Sequence, residues 1–75
     1  MSDAAQRLLG ESLGQDVLVK LRTSELVRGR LRSFDQHLNI VLEDAYEIVE
    51  DKSRRLGTVV IRGENIVMIS PASQG

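Results

Sequence analysis

The chain has 75 residues, no cysteine and one histidine, and its ten basic and eleven acidic side chains give a formal net charge of −1. A chain this short buries a modest fraction of its surface, so it usually needs disulfides, a metal or self-association for stability. The missing cysteines exclude disulfides and thiolate metal sites, and a lone histidine disfavours a histidine-based metal site within one subunit. Self-association is therefore expected. The balanced charge requires any nucleic-acid site to be local, not a broad basic face.

The sequence also limits where the protein acts. No apolar run approaches the length of a membrane span, and the amino terminus lacks the features of a signal peptide. The absence of cysteine fits a reducing compartment. We expect a soluble, cytoplasmic protein that requires no cofactor.

The amino-terminal segment has a helical pattern over residues 3–13. Its apolar residues Ala5, Leu8, Leu9 and Leu13 fall on one stripe. Ser2 or Asp3 can cap the start of this helix, and Gly14 can supply the left-handed residue beyond its end. We predict a helix that lies on a sheet.

The rest of the chain alternates with a period of two, which predicts five short strands. They cover 16–22, 26–34, 38–43 with a continuation to 48, 56–61 and 66–70, and 50–53 forms a polar hairpin loop. Helix formers between 43 and 56 leave a helix there as an alternative. Gly29 predicts a bend or close backbone approach in the second strand, as a small barrel requires. The predicted fold is all-β with an amino-terminal helix, a single domain over 1–75 whose strongly bent antiparallel sheet forms an open barrel. Residues 71–75 are a flexible tail.

Arg28, Arg30 and Arg32 occupy one side of the second strand and could form a nucleic-acid-binding comb. The alternative is a solvated strand face whose arginines pair with acids of a neighbouring strand. The acidic residues 43–51 follow soon afterwards, and the balanced total charge favours this second interpretation.

The stretch from Ser33 to Ile40 holds the chain's only phenylalanine and histidine. Asp35, His37 and Asn39 are two residues apart, so an extended backbone would project all three from one side. An imidazole can stack on a planar ligand, an amide can read a donor and an acceptor, and a carboxylate can hold that amide in place. This set suits binding a base better than breaking a bond. The alternative is a polar turn in which Asp35 bonds the local backbone.

A second polar turn, Ile61-Arg62-Gly63-Glu64-Asn65, separates the last two predicted strands, and Gly63 is expected to adopt a positive φ. Together the two turns resemble the Sm-like (Lsm) family, closest to its archaeal members. The first turn resembles the Sm1 motif, within a region of about 16–49. The second resembles the Sm2 motif, within about 54–70. Both turns at the correct spacing are far more specific than either alone.

The resemblance implies a short helix followed by a five-stranded bent barrel, the Sm fold. It also implies that the exposed edges of strands four and five pair between subunits and close a homo-oligomeric ring, typically of seven in archaeal relatives. The two turns would line the central pore and bind uridine-rich single-stranded RNA, as expected of a scaffold or chaperone in RNA processing. Unpaired edges and head-to-tail interfaces agree with such a ring.

The resemblance also assigns roles to individual residues. His37 resembles the residue that stacks on the uracil, and Asn39 the residue that bonds its Watson–Crick edge. Asp35 resembles the residue that fixes the Asn39 amide. Arg62 resembles the residue that covers the other face of the base, and Gly63 keeps the backbone close.

The chain departs from the family pattern at a few positions. Leu38 stands where many relatives carry methionine, and Glu64 where aspartate or asparagine is more usual. The amino-terminal segment lacks the Arg-Pro-Leu-Asp of archaeal relatives, so no RNA-contacting residues are assigned to the helix.

Two other functions are considered. In a ribonuclease, His37 and Asp35 would be an acid–base pair and Arg62 would stabilise a phosphorane. One histidine is too few for the usual two-group scheme, and no nucleophile is positioned. A protein-interaction barrel would bind a peptide at its sheet edge, but such grooves are lined with aromatics, and this chain has only Phe34 and Tyr46. Phe34 leads into the first turn from a strand and is expected to pack in the core.

Overall fold

The structure, a computed structural model, describes residues 3–72, so the predicted cap at Ser2 lies outside the described residues. One helix precedes five strands and a short 3-10 turn: α1 Asp3–Glu11, β1 Asp16–Leu21, β2 Leu26–Phe34, β3 Ile40–Val49, β4 Lys52–Ile61, the turn Gly63–Asn65, and β5 Ile66–Pro71. This order confirms the predicted fold class.

The strands form one antiparallel sheet in the order β4-β3-β2-β1-β5. The pairing register of β2 with β3 shifts between Arg28 and Arg30 and between Leu31 and Ser33. The register of β3 with β4 shifts between Leu42 and Ala45. Such irregularities bend and twist a sheet. Because β4 and β5 do not pair with each other, both remain open edges.

Alternate strand residues pack inward, together with one residue of the helix, to form the core: Leu9, Val17, Val19, Val27, Leu31, Ile40, Leu42 and Ala45. Phe34 packs against this cluster, as predicted. At Gly29 the backbones approach closely. A Cβ there would lie 3.0 Å from Ala45 Cβ and 3.1 Å from Leu42 Cβ, so the predicted close approach is confirmed.

The helix differs from its prediction in length and in packing. It ends at Glu11, where i→i−3 hydrogen bonds replace the helical pattern: the Ser12 amide donates to the Leu9 carbonyl as well as to the Leu8 carbonyl, and the Leu13 amide donates to the Gly10 carbonyl. Gly14 then adopts a φ of +80°, as its predicted role requires. Only Leu9 of the predicted stripe is fully buried, whereas Leu8 is 42% exposed and Leu13, which lies beyond the helix, is 45% exposed.

The strands β3 and β4 form a longer hairpin than the sequence predicted. β4 begins at Lys52, not at residue 56, and a turn at Glu50 and Asp51 replaces the four-residue loop. The helix considered between 43 and 56 is not present in this described part of the chain. The predicted tail begins too early. Pro71 belongs to β5, and Ala72 is 7% exposed and donates its amide to the Asp16 carbonyl.

The arginine comb on β2 pairs with acids of neighbouring strands, which confirms the second of the two interpretations. Arg30 lies 3.0 Å from Glu43 and 3.1 Å from Asp44, and Arg32 lies 2.8 Å from Glu43. Arg28 reaches Asp16 at 3.5 Å. These pairs leave little unbalanced positive charge on that face.

Candidate functional site

The first polar turn connects β2 to β3 and is not extended. Leu38 has a φ of +65°, and its amide donates to the Asp35 carbonyl at 2.9 Å while the Asp35 amide donates to the Asn39 carbonyl at 3.1 Å. The prediction that an extended backbone projects all three polar side chains from one side is therefore wrong. The reversal brings Asp35 and Asn39 together instead.

The Asp35 carboxylate is the organising group of this turn. Its Oδ1 accepts from the backbone amides of His37 at 2.9 Å and Asn39 at 3.0 Å, and its Oδ2 accepts from Asn39 Nδ2 at 2.9 Å. The hydrogen bond from the Asn39 side chain, with those from the two amides, lowers the pKa of Asp35 below its ordinary value. Asp35 therefore bonds the local backbone, as expected of a polar turn, and also holds the Asn39 amide.

Asn39 joins the first turn to the second. Its Oδ1 accepts from the Gly63 amide at 2.7 Å. A carboxylate can only accept and a backbone N–H can only donate, so these two partners together fix which end of the Asn39 amide is nitrogen and which is oxygen. One N–H and one oxygen lone pair remain for a ligand.

Of the two roles predicted for Gly63, the close approach of the backbone is found and the positive φ is not. It does not adopt a positive φ, since the positive-φ glycines among the described residues are Gly14 and Gly57. Instead it opens the 3-10 turn Gly63–Asn65 where the two turns meet. A Cβ there would overlap the His37 carbonyl oxygen and lie 2.9 Å from the Leu38 carbonyl oxygen. Only a glycine allows the contact that Asn39 makes.

One open pocket holds four of the five predicted site residues. His37, Asn39, Arg62 and Gly63 line it together with Glu64, and Asp35 supports it from behind Asn39. The His37 and Arg62 side chains are exposed. Arg62 Nε lies 3.6 Å from Glu64 Oε2 in an exposed pair. Such a pair is weak, so the guanidinium can leave it at little cost.

The pocket has the chemistry of a binding site. Two planar groups, an imidazole and a guanidinium, stand beside an amide whose orientation is fixed. Among the described residues, no group of three histidine, cysteine, aspartate or glutamate side chains could hold a metal ion. The Asp35 carboxylate accepts a hydrogen bond from the backbone amide of His37.

Sequence reasoning missed three features near this site. The positive φ of Leu38 carries no sequence signal, because leucine rarely adopts it. Glu64 stands out in the sequence only as a departure from a family pattern, yet it lines the pocket. The alternation of apolar residues places Arg22 at the end of a strand and gives no sign that it reaches the second polar turn, where its guanidinium lies 3.4 Å from the Glu64 carbonyl oxygen.

Comparison with known proteins gives consistent results. The family model described as "LSM domain" matches residues 7–71. An Sm-like protein of Aeropyrum pernix is 45% identical over 67 residues, which cover 89% of this chain and 87% of the relative.

Two solved structures show the same fold. The structure of a heptameric archaeal Sm protein has a TM-score of 0.87 at 54% identity, over 89% of this chain and 98% of that one. The Sm protein of Pyrococcus abyssi, solved in complex with a uridine heptamer, has a TM-score of 0.85 at 44% identity, over 89% and 96% of the two chains.

Proposed function

Because the chain belongs to the LSM-domain family, we propose that it forms a homo-oligomeric ring that binds uridine-rich single-stranded RNA. The ring serves as a scaffold or chaperone in RNA processing, in the cytoplasm, and carries no chemistry of its own. One pocket per subunit supplies the binding, with His37, Asn39 and Arg62 in contact with the base. Asp35 and Gly63 hold those groups in position.

The fixed amide of Asn39 is the observation that carries this proposal. Its remaining N–H and lone pair can face an acceptor and a neighbouring donor, the pattern that uracil presents at O4 and N3–H. Cytosine presents the reverse pattern at N4 and N3. An amide free to flip would accept both bases, whereas Asp35 and Gly63 prevent the flip. The orientation therefore favours uracil over cytosine.

Guanine presents the same pattern as uracil, at O6 and N1–H. Adenine presents the reverse pattern at N6 and N1, so the Asn39 amide disfavours it as it does cytosine. Discrimination against guanine must come from the space between His37 and Arg62, which line the same pocket. Imidazole and guanidinium planes are good stacking surfaces for a splayed-out base.

The open sheet edges support the ring. Exposed apolar side chains lie on both edge strands, with Val60 of β4 68% exposed, Val67 of β5 60% exposed and Met68 of β5 49% exposed. Unpaired strand edges with apolar side chains favour pairing with another copy of the chain. The similar structure whose protein is described as heptameric supports this assembly. Several weak pockets on one ring would multiply their affinity through effective concentration.

Fluorescence anisotropy with U-, C-, A- and G-tract RNAs of equal length, at two salt concentrations, tests the proposal. We expect the U-tract to bind most tightly, with a preference over the C-tract that survives added salt. Equal binding of all four RNAs that collapses with salt would reduce the interaction to phosphate contacts and overturn the proposal.

The proposal that the protein does not cleave RNA is tested separately. Incubation with RNA in a metal-containing buffer is expected to leave the RNA intact. Reproducible cleavage that the His37→Ala variant abolishes would make the protein a ribonuclease.

A further inference from the structure

A second depression adjoins the base pocket on the other side of Arg62. Arg62 lines both depressions. The other residues that line the second one are Leu21, Arg22, Thr23, Glu25, Val60, Ile61 and Asn65. The β1–β2 turn is held there by the Arg22 amide, which donates to the Asn65 carbonyl at 2.8 Å. Two separate turns therefore place two arginines around one depression.

Arg22 differs from the arginines of the comb. Its side chain is exposed, and within residues 3–72 it forms no ion pair, whereas Arg28, Arg30 and Arg32 each face a carboxylate. Its guanidinium makes a single long contact, 3.4 Å, to the Glu64 carbonyl oxygen. This contact keeps the cation beside the pocket without neutralising its charge.

The base pocket alone leaves part of an RNA strand without a partner. Its groups recognise a base, and its arginine is paired with Glu64. Every nucleotide also brings a phosphate, and a guanidinium binds phosphate oxygens well because its donors form a planar fork.

We propose that Arg22, beside the base pocket that Arg62 lines, binds a phosphate of the RNA strand whose base occupies that pocket. This inference rests on the proposed function and adds to it a backbone subsite without base selectivity. The pocket then selects the base, and Arg22 supplies affinity that does not depend on sequence.

The test compares Arg22→Gln with wild type by anisotropy, using U-tract and A-tract RNAs at four salt concentrations. We expect the variant to bind both RNAs more weakly by a similar factor, about threefold to tenfold near 0.1 M salt, and to keep its preference for U. The plot of log affinity against log salt should become shallower by about 0.7 for each phosphate that the variant no longer neutralises, the value for single strands.

Arg55→Gln is the matched control. Arg55 is also exposed and without an ion pair in the described chain, but it lies on β4 about 20 Å along the strand from the pocket, at about 3.3 Å per residue. Arg22→Lys is the second variant, because it retains the charge and should retain the salt slope. Native mass spectrometry of each variant separates a binding defect from a loss of assembly.

The outcomes are distinct. If wild type prefers U and Arg22→Gln matches both wild type and Arg55→Gln, the phosphate subsite is wrong and the proposed function stands. A loss confined to the U-tract would place Arg22 at the base and overturn the subsite. A loss of assembly in both the Gln and Lys variants would make Arg22 structural and overturn it too. If wild type shows no preference for U, the proposed function itself fails.

Discussion

At the scale of single residues, the site depends on one carboxylate and one amide. Asp35 uses both oxygens, and Asn39 uses its nitrogen and its oxygen, so each side chain holds the other in one orientation. A site built to hydrogen-bond a ligand discriminates strongly, because a wrong ligand leaves its polar groups unpaired. In the proposed function, selectivity for a base therefore depends on very few atoms.

Asn39→Ala should weaken U-tract binding and reduce the preference for U over A by about fivefold to a hundredfold, since an unsatisfied hydrogen-bonding group costs about 1–3 kcal/mol. Anisotropy titrations of both RNAs measure this. Gln36→Ala is the control, because Gln36 is exposed in the same turn and its side chain makes no hydrogen bond to the described residues. Unchanged selectivity in Asn39→Ala would contradict the role assigned to Asn39.

The hydrogen bonds of Asp35 also predict that the stability of the protein depends on pH. Its pKa is lowered in the folded protein, chiefly by the hydrogen bond from the Asn39 side chain. A lowered pKa means that the stabilisation is present above the ordinary aspartate pKa of 3.8 and is lost as the pH falls through the folded value. The Tm difference between wild type and Asp35→Asn should therefore be largest at neutral pH and shrink below about pH 4. A Tm difference that stays constant down to pH 2 would show that the charge of Asp35 does not contribute to stability.

At the scale of elements, the site exists because two turns from distant parts of the chain meet. The β2–β3 turn supplies His37 and Asn39, and the 3-10 turn before β5 supplies Gly63. They touch because β4 returns beside β3, where Ile40 pairs with Ile61 at the ends next to the two turns. The missing side chain of Gly63 then allows the Asn39 contact.

Gly63→Ala should separate the two turns, because its Cβ would collide with the backbone at His37 and Leu38. We expect a loss of about 1–3 kcal/mol of stability, the usual cost of overpacking, together with weaker U-tract binding. Denaturant unfolding at a fixed protein concentration measures the loss of stability, and anisotropy measures the weaker U-tract binding.

Gly10→Ala is the control for this substitution. The nearest side-chain atom to its Cβ would be Phe34 Cζ at 4.0 Å, and alanine favours a helix by up to about 1 kcal/mol over glycine. This variant should be as stable as wild type or more so, with unchanged binding. If both glycine variants behaved alike, the steric account of Gly63 would be wrong.

At the scale of the whole molecule, the sheet ends in two open edges that this small chain cannot cover. β4 and β5 each present unpaired backbone groups and exposed apolar side chains. Because a head-to-tail interface repeats, it closes into a ring when the rotation between copies permits. Assembly would bring several pockets to one RNA strand.

Val60→Lys should disrupt that assembly, because it places a charge on the β4 edge that another chain would cover. Native mass spectrometry at micromolar concentration should show a ring for wild type and mostly smaller species for the variant. Val49→Lys is the control, since Val49 is 49% exposed but lies on β3, which has a neighbour on each side. A wild-type protein that is only monomeric, or a variant that assembles normally, would contradict this prediction.

The sequence by itself determined the fold class, the order of the strands along the chain and four of the five residues that line the pocket, Glu64 being the exception. Alternation of apolar residues reports which strand face is buried, and the motifs resembling Sm1 and Sm2 mark the two turns. These signals are local, so they can be read from neighbouring residues. The family resemblance inferred from them is confirmed by the matching family model.

Only the tertiary structure decided how those residues meet. The Asn39–Gly63 bond spans 24 positions, the positive φ of Leu38 reverses a turn that alternation suggested was extended, and Gly63 is needed for space, not for its φ. Pairing between β3 and β4 likewise made the hairpin longer than predicted, although the helix-forming residues between 43 and 56 are compatible with a helix. Each of these depends on contacts between distant segments, where packing and sheet pairing override local preference. The position of Arg22 beside the pocket depends on the same kind of contact.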